Sequence, residues 1–459
     1  MFPRRTAFAA IAAFALGAVA AQGASLYVDQ SVPSSGDGSS WATALKTIRE
    51  GINAALNGDE VIVAVGTYIE TIDFLGKSIT VRSTNPADPG TVAMTVIEPT
   101  SLEVVRFRAS EGRGSVVAGF TITSGQLGIS CVWSSPVIRN NVIVANTAPF
   151  EPGAGISCYY SSPLIENNII ASNIAPAGGG IACEGGEPVI INNLIIANVT
   201  DMEGGGIFCV DCSPTIARNR IIANTSQGNG AGICCLASRA EISDNLIVSN
   251  VTNSAAGAVW CHSSVLKVVG NTLANNSAQG GGAGGIQFVE SSGEIVNCIL
   301  WGNGDDLLGW HATFSCIEDD EPEDQGQGNI HDNPAFEDPD GPDNLLGTTD
   351  DDYRLSADSP CVDVGSYSAA ADLSIQRDGA SAALFWDPGM DLLGQTRISG
   401  RGPDMGCIEH QSSPPLYVLE TSSTILEWTK IYEGDETQFS LDGLPPADRG
   451  FFRVSVSQR

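Results

Sequence analysis

Lysine is nearly absent from this chain. Lys and Arg together number 22 against 53 Asp and Glu, a formal charge of -31 over 459 residues. So acidic a surface excludes nucleic acid and anionic membranes as partners, and polyanionic substrates unless cations bridge them. It suits the solubility of an exported protein. Long apolar runs are lacking beyond the N-terminus, so no later span is expected to cross a bilayer. Helical spacing is scarce as well. Apolar residues instead come in short alternating runs broken by Gly, Asn and Ser-Pro, which is strand punctuation. The one early exception, residues 1–24, reads as a secretory signal, with Arg4-Arg5, an apolar run from Ala7 to Ala20, and small residues for cleavage after Ala20 or Ala24.

What is plentiful is glycine (52 residues) and repetition. From Gly128 to Asn303 one phrase recurs: Gly128-Ile129-Ser130-Cys131, Gly155-Ile156-Ser157-Cys158, Gly180-Ile181-Ala182-Cys183, Gly206-Ile207-Phe208-Cys209 and Gly232-Ile233-Cys234-Cys235. Ala258-Val259-Trp260-Cys261 and Gly285-Ile286-Gln287-Phe288 are looser copies. A second phrase ends at Asn141, Asn168, Asn193, Asn219, Asn245 and Asn271, with steps of 27, 25, 26, 26 and 26 residues. A third closes each unit at Asn146, Asn173, Asn198, Asn224, Asn250 and Asn276.

A fixed period of this length means stacked repeats. Three short strands per unit, each lying on its counterpart in the next, predict an all-β chain: a parallel β-helix with three sheets, right-handed by the usual chirality of parallel crossovers. Ile and Cys, two apart, point inward, and the residue between them points out. The repeated Asn fits an inward-turned ladder at a corner, each amide bonding those above and below.

The phrases Ser-Pro-x-Ile-x-Asn-Asn and Gly-Gly-Gly-Ile-x-Cys resemble those of exported bacterial right-handed parallel β-helix proteins in the pectin-lyase-like superfamily. Trp41 to Ile48, Gly66-Thr67-Tyr68 and Gly119 to Ile122 resemble the opening of the same group. Tyr353 to Gly365 and Asp404 to Glu409 resemble its closing module, except that Cys407 and Ile408 stand where Ala and Tyr are more usual. With Cys361 in the matching first phrase, a Cys361–Cys407 disulfide is the bond this resemblance implies. The superfamily contains polysaccharide lyases, hydrolases and adhesins, so fold alone does not assign a role.

The chain therefore divides into a signal peptide (1–24), a cap with irregular first rungs (25–127), regular rungs (128–330), an acidic closing module (331–412) and a small C-terminal β unit (413–459). The cap includes a helix opened by Ser39-Ser40-Trp41, with Leu45, Ile48, Ile52 and Leu56 on one face, which lids the open coil end. The strands expected after Pro415 are Leu416–Glu420, Thr424–Ile431, Thr437–Leu441 and Phe451–Val456. Six cysteines, Cys131, Cys158, Cys183, Cys209, Cys235 and Cys261, fall in one inward column. Rungs roughly 4.8 Å apart hold parallel Cβ atoms beyond the ~3.8 Å a disulfide prefers, so these read as buried thiols packing like small apolar residues.

Three kinds of chemistry have candidate residues. Asp338, Asp340, Asp343 and Asp351 supply clustered oxygens of the kind calcium takes, although the spacing is not that of an EF-hand and a solvated acidic loop is the better reading. Catalysis by a lyase of the resembling group would require a Lys or Arg base, and the regular rungs offer Arg218, Arg220, Arg239 and Lys267, with Glu184, Asp211, Glu241 and Asp244 the nearest acids. A His262–Glu184 pair would lie three rungs apart, too far to act together unaided. The outward positions of the Gly-Ile-x-Cys sheet carry Trp133, Tyr159, Phe208, Trp260 and His262, aromatic platforms suited to the C–H faces of sugar rings. The expectation is an exported glycan-binding or cell-surface structural β-helix without catalytic activity. The alternative is a polysaccharide lyase or glycosidase whose site lies on that face.

Overall fold

The computed structural model describes residues 23–99, 102–319, 326–366, 390–397 and 403–411, and the backbone of three later strands. The proposed signal lies outside these residues apart from Gly23 and Ala24, as does the expected strand Thr437–Leu441. No described helix is long and apolar enough to cross a membrane.

The repeat winds as a parallel β-helix. One rung shows the plan: strands Ile156–Tyr159, Leu164–Glu166, Ile169–Ala171 and Ile174–Ala175 follow one another around the coil. Stacking of equivalent strands makes sheets of 10, 11, 11 and 5 strands, numbered here first to fourth in the order they occur within a rung. Three sheets were expected. The fourth consists of two-residue strands such as Val199–Thr200 and Val251–Thr252, too short to leave a periodic signal.

Corners form because each strand ends in a residue with left-handed backbone followed by a polar one. Tyr160 (φ 46°), Asn167 (φ 55°) and Ser172 (φ 53°) precede Ser161, Asn168 and Asn173. The polar residues stack as ladders, as predicted for Asn. Nδ2 of Asn168 donates to Oδ1 of Asn193 at 3.0 Å, that of Asn193 to Asn219 at 3.0 Å, and the second Asn ladder repeats this from Asn146 to Asn303. Each Oδ1 also accepts the backbone N–H of the ladder residue one rung earlier. Buried amides are thereby satisfied without water. A serine ladder that the sequence reading missed fills the first corner: Ser134 N–H donates to Ser161 Oγ, and Ser238 and Ser264 continue it.

Inside, Ile129, Ile156, Ile181, Ile207 and Ile233 stack with the cysteine file. Cys131, Cys158, Cys183, Cys209, Cys235 and Cys261 are in continuous register, buried and free. Gly155, Gly180, Gly206 and Gly232 begin the first-sheet strands because the next rung's backbone leaves no room for a side chain. A Cβ on Gly206 would lie 2.6 Å from the Gly232 carbonyl oxygen.

The cap helix is shorter than predicted. It spans Ile48–Ala54, with Thr47 and Glu50 forming a capping box. Ile48 and Ile52 enter the core, but Leu56 is exposed, and Leu45 is diverted into a parallel bridge with Val28. Lys77 Nζ closes the helix by donating to the carbonyls of Ile52, Asn53 and Ala55. At the far end the closing module pairs Phe336–Asp338 with Asp352–Leu355. The C-terminal unit is an antiparallel sheet with Leu416–Thr424 between Glu427–Gly434 and Phe451–Ser457.

Candidate functional site

A groove of about 540 Å³ runs along the outer side of the first sheet near its N-terminal end. Strand alternation supplies its floor. In register, one outward file reads Arg106, Ser130, Ser157, Ala182, Phe208, and the file beside it reads Val132, Tyr159, Glu184, Val210. Glu151 and Pro152, from the loop entering strand Ile156–Tyr159, contribute one wall.

At the upper end, Glu103 is ion-paired with both Arg106 and Arg108. The Glu103 side chain is 7% exposed, while those of Arg106 and Arg108 are 28% and 48% exposed. One carboxylate thus holds two guanidiniums at the mouth of the groove. Neither Arg106 nor Arg108 was among the expected cations, because both lie in the irregular rungs that precede the repeat. The signal was present: the alternation Val105-Arg106-Phe107, with Phe107 extending the cysteine file, puts Arg106 outside.

The outward file is not uniformly open. Loops entering each first-sheet strand turn back over it at Gly153, Gly178, Gly204 and Gly230, all with left-handed backbone. A Cβ on Gly204 would lie 2.8 Å from the Phe208 Cβ. Ala182 and Cys234, although outward, are consequently buried.

The five predicted sugar-facing residues share this face but divide into two groups. Tyr159 and Phe208 line the groove. Trp133 stands beside it at the corner, stacked on Tyr160 with centroids 4.6 Å apart and planes 9° apart, while Tyr159 meets Tyr160 edge-on at 4.8 Å. Trp133 is 59% exposed and Tyr159 41%. Trp260 and His262 form the second group further along the sheet, with rings 5.9 Å apart. His262 Nε2 lies 3.5 Å from Glu290, which replaces Glu184 as its carboxylate neighbour.

The weak catalytic candidates do not converge. Glu184 lies in the groove. Arg218 follows a second-sheet strand, largely buried and facing Asp244. Arg220 opens a third-sheet strand and donates to the Thr349 carbonyl at 2.9 Å. Lys267 lies on the second sheet between Glu241 and Glu294 in register. These positions are on three faces, because the phrase around Asn219 is a corner rather than part of the first sheet.

The proposed calcium ligands likewise do not assemble. Among the described residues no group of three or more His, Cys, Asp or Glu is placed to hold a metal. The carboxylates of Asp343 and Asp351 accept from the backbone N–H groups of Leu345 and Gly347, stabilising turns. Asp338 closes a strand, and Asp340 lies beyond it beside a cavity lined also by Trp301 and Phe336. Cys361 and Cys407 are not brought together as a bonded pair. Both thiols are free and lie in different clusters, Cys361 with Cys316 and Met405, Cys407 with Ile222 and Val248.

A buried charge cluster lies where the closing module docks. Arg397 is buried with its guanidinium 3.4 Å from Asp244 of the coil and 3.5 Å from Glu409. Burial pushes the Asp244 carboxyl up to about 7 and Asp404 to about 6, against the pull of Arg397. This cluster holds module to coil, away from the groove.

Residues 121–273 match the family described as the right handed beta helix region. No curated protein matches the chain. Among solved structures, the crystal structure of pectate lyase Pel9A is similar at TM-score 0.51 and 16% identity, covering 84% of this chain and 96% of that one. The complex of XylC with xylose aligns at TM-score 0.42 and 10% identity over 84% and 98% of the two chains. A rhamnogalacturonan lyase aligns at TM-score 0.34 and 11% identity over 73% and 97%. At these identities the likeness is one of fold. With its stacked rungs and Asn ladders the chain has a parallel β-helix fold, and its central region matches the right handed beta helix region family.

Proposed function

We propose that the chain is an exported, non-catalytic glycan-binding β-helix, and that its groove holds a stretch of polysaccharide against the first sheet. The observation that carries this reading is the placement of Tyr159 and Phe208 in one elongated groove with Ser130, Ser157, Gln126 and Glu184. Aromatic faces take the apolar faces of sugar rings, and the hydroxyl, amide and carboxylate groups take their hydroxyls. Trp133 and Tyr160 extend the platform at the corner. The Glu103 pairing holds Arg106 and Arg108 in place at the groove, where their planar guanidiniums can donate to sugar hydroxyls.

The second reading, a polysaccharide lyase or glycosidase in the same groove, is favoured by the fold shared with a pectate lyase and by Arg106, Arg108 and Glu184 all lining that groove. Incubating the mature protein with a panel of insoluble and soluble polysaccharides, with and without calcium, tests both. Retention without turnover, lost in Tyr159→Ala/Phe208→Ala, is the expected result. New reducing ends, or ultraviolet absorbance from unsaturated uronates, would overturn the non-catalytic reading.

A further inference from the structure

The twelve cysteines are buried, but their surroundings differ. Within the file, neighbouring thiols belong to parallel strands one rung apart, and strand geometry keeps their Cβ atoms near the rung spacing. Cys298 takes a ladder position, its Sγ 3.3 Å from the Val296 carbonyl. Cys212 replaces a ladder serine, with its backbone N–H on Ser238 Oγ.

Cys316 and Cys361 are placed otherwise. Cys316 begins the last strand of the third sheet, Cys316–Ile317. Cys361 arrives from the closing module, so no shared strand direction holds the two side chains parallel. Both are fully buried in one cluster with Ile299, Leu355 and Met405, and their thiols hydrogen-bond each other. Cys361 is fixed from two sides: its N–H donates to Ser359 Oγ at 3.1 Å, and its carbonyl accepts from Met405 N–H at 3.0 Å. Cys316 is bridged in parallel to Ile330. The paired thiols therefore span the joint between the last rung and the module that covers it.

We propose that Cys316 and Cys361 are an oxidisable pair that forms a disulfide fastening the closing module to the end of the coil. The oxidant is a small-molecule disulfide, such as oxidised glutathione, or a protein disulfide of the same class. The thiolate of one cysteine attacks the oxidant and releases one thiolate. The second cysteine then attacks the mixed disulfide and releases the other. Two protein thiols lose two protons and two electrons, and one disulfide is reduced to two thiols. The hydrogen bond with the Cys361 thiol, and then burial, push the Cys316 pKa up in the folded protein, so thiolate is scarce there and exchange belongs to folding, before the module has docked. Once formed, the bond is shielded by the same burial.

The test folds the full chain with a mixture of oxidised and reduced glutathione, then alkylates it in denaturant. Of the 12 cysteines, 12 − 2 = 10 should react, and peptide mapping without reductant should join the Cys316 and Cys361 peptides. Cys361→Ala and Cys316→Ala should each leave the remaining 11 thiols reactive. Wild type folded in excess reductant provides the unbridged state and should lose the segment between the two cysteines to protease faster than the oxidised form. Twelve reactive thiols after oxidative folding, or a bond joining any other pair, would overturn the proposal.

Discussion

Replacing Asn193 by alanine tests whether the amide ladder is a principal support of the coil beneath the groove. Asn193 Oδ1 accepts the buried N–H of Asn168 at 3.0 Å and its Nδ2 at 3.0 Å. Its own Nδ2 donates to the carbonyls of Ile165 and Ile191 and to Oδ1 of Asn219, at 2.9, 3.0 and 3.0 Å. Truncation strands the Asn168 N–H in the interior, at about 1–3 kcal/mol. The lost side-chain bonds add roughly 1 kcal/mol for each partner left unsatisfied. The sum is about 3–5 kcal/mol, several-fold beyond the roughly 0.5 kcal/mol of an ordinary surface change. Asn192→Gly is the matched control: Asn192 is an exposed neighbour with left-handed backbone that glycine adopts freely. Equilibrium unfolding in guanidinium measures both variants, and amide exchange across the flanking rungs localises the damage, because repeats depend on nearest neighbours. If Asn193→Ala costs no more than Asn192→Gly, the ladder is not the support argued here.

Gly206→Ala should destabilise by about 1–3 kcal/mol through overpacking, because the added Cβ would meet the Gly232 carbonyl oxygen at 2.6 Å; a substitution at open Gly58 with a left-handed-tolerant Asn should be near neutral in the same melt. Arg397→Met should cost about 3–5 kcal/mol by leaving buried carboxylates uncompensated, read as faster proteolytic release of the closing module with the coil intact. Acid should stabilise the chain. Burial pushes Asp306 from 3.8 up to about 7 in the folded state, so the folded chain binds that proton more tightly than the unfolded one. The stabilisation, about 4 kcal/mol for this group, is full below pH ~4 and is lost as pH rises towards 7. Tm should therefore fall between pH 5 and pH 8, with a shallower slope in Asp306→Asn.

The rungs were legible because in a solenoid the period along the chain is also a period in space. Counting from Asn141 to Asn271 located a ladder, and counting from Cys131 to Cys261 located a buried file, without any long-range inference. Legibility ended where the period did. Thr47-Ile48-Arg49-Glu50 carries a capping box that starts the helix later than apolar spacing alone implies. The serine ladder was obscured because Gly186 and Cys212 interrupt it. Docking contacts left no local trace: Arg397 finds Asp244, and Cys361 finds Cys316, only because the chain doubles back over its last rungs.

The same distinction accounts for the location of the groove. A regular rung repeats its outward residues as well as its inward ones, and loops that turn back at Gly178, Gly204 and Gly230 roof them over. A recess needs a break in that uniformity. Here the break is the junction of the irregular first rungs with the regular ones, where Glu103 gathers Arg106 and Arg108 and the loop carrying Glu151 and Pro152 stands beside Tyr159. Tyr159 and Phe208 are therefore the side chains on which glycan retention should depend. Trp260 is engaged with His262 further down the sheet, whereas Tyr159 and Phe208 face one cavity, so a glycan chain lying in that cavity should depend on the second pair together and be indifferent to Trp260→Ala.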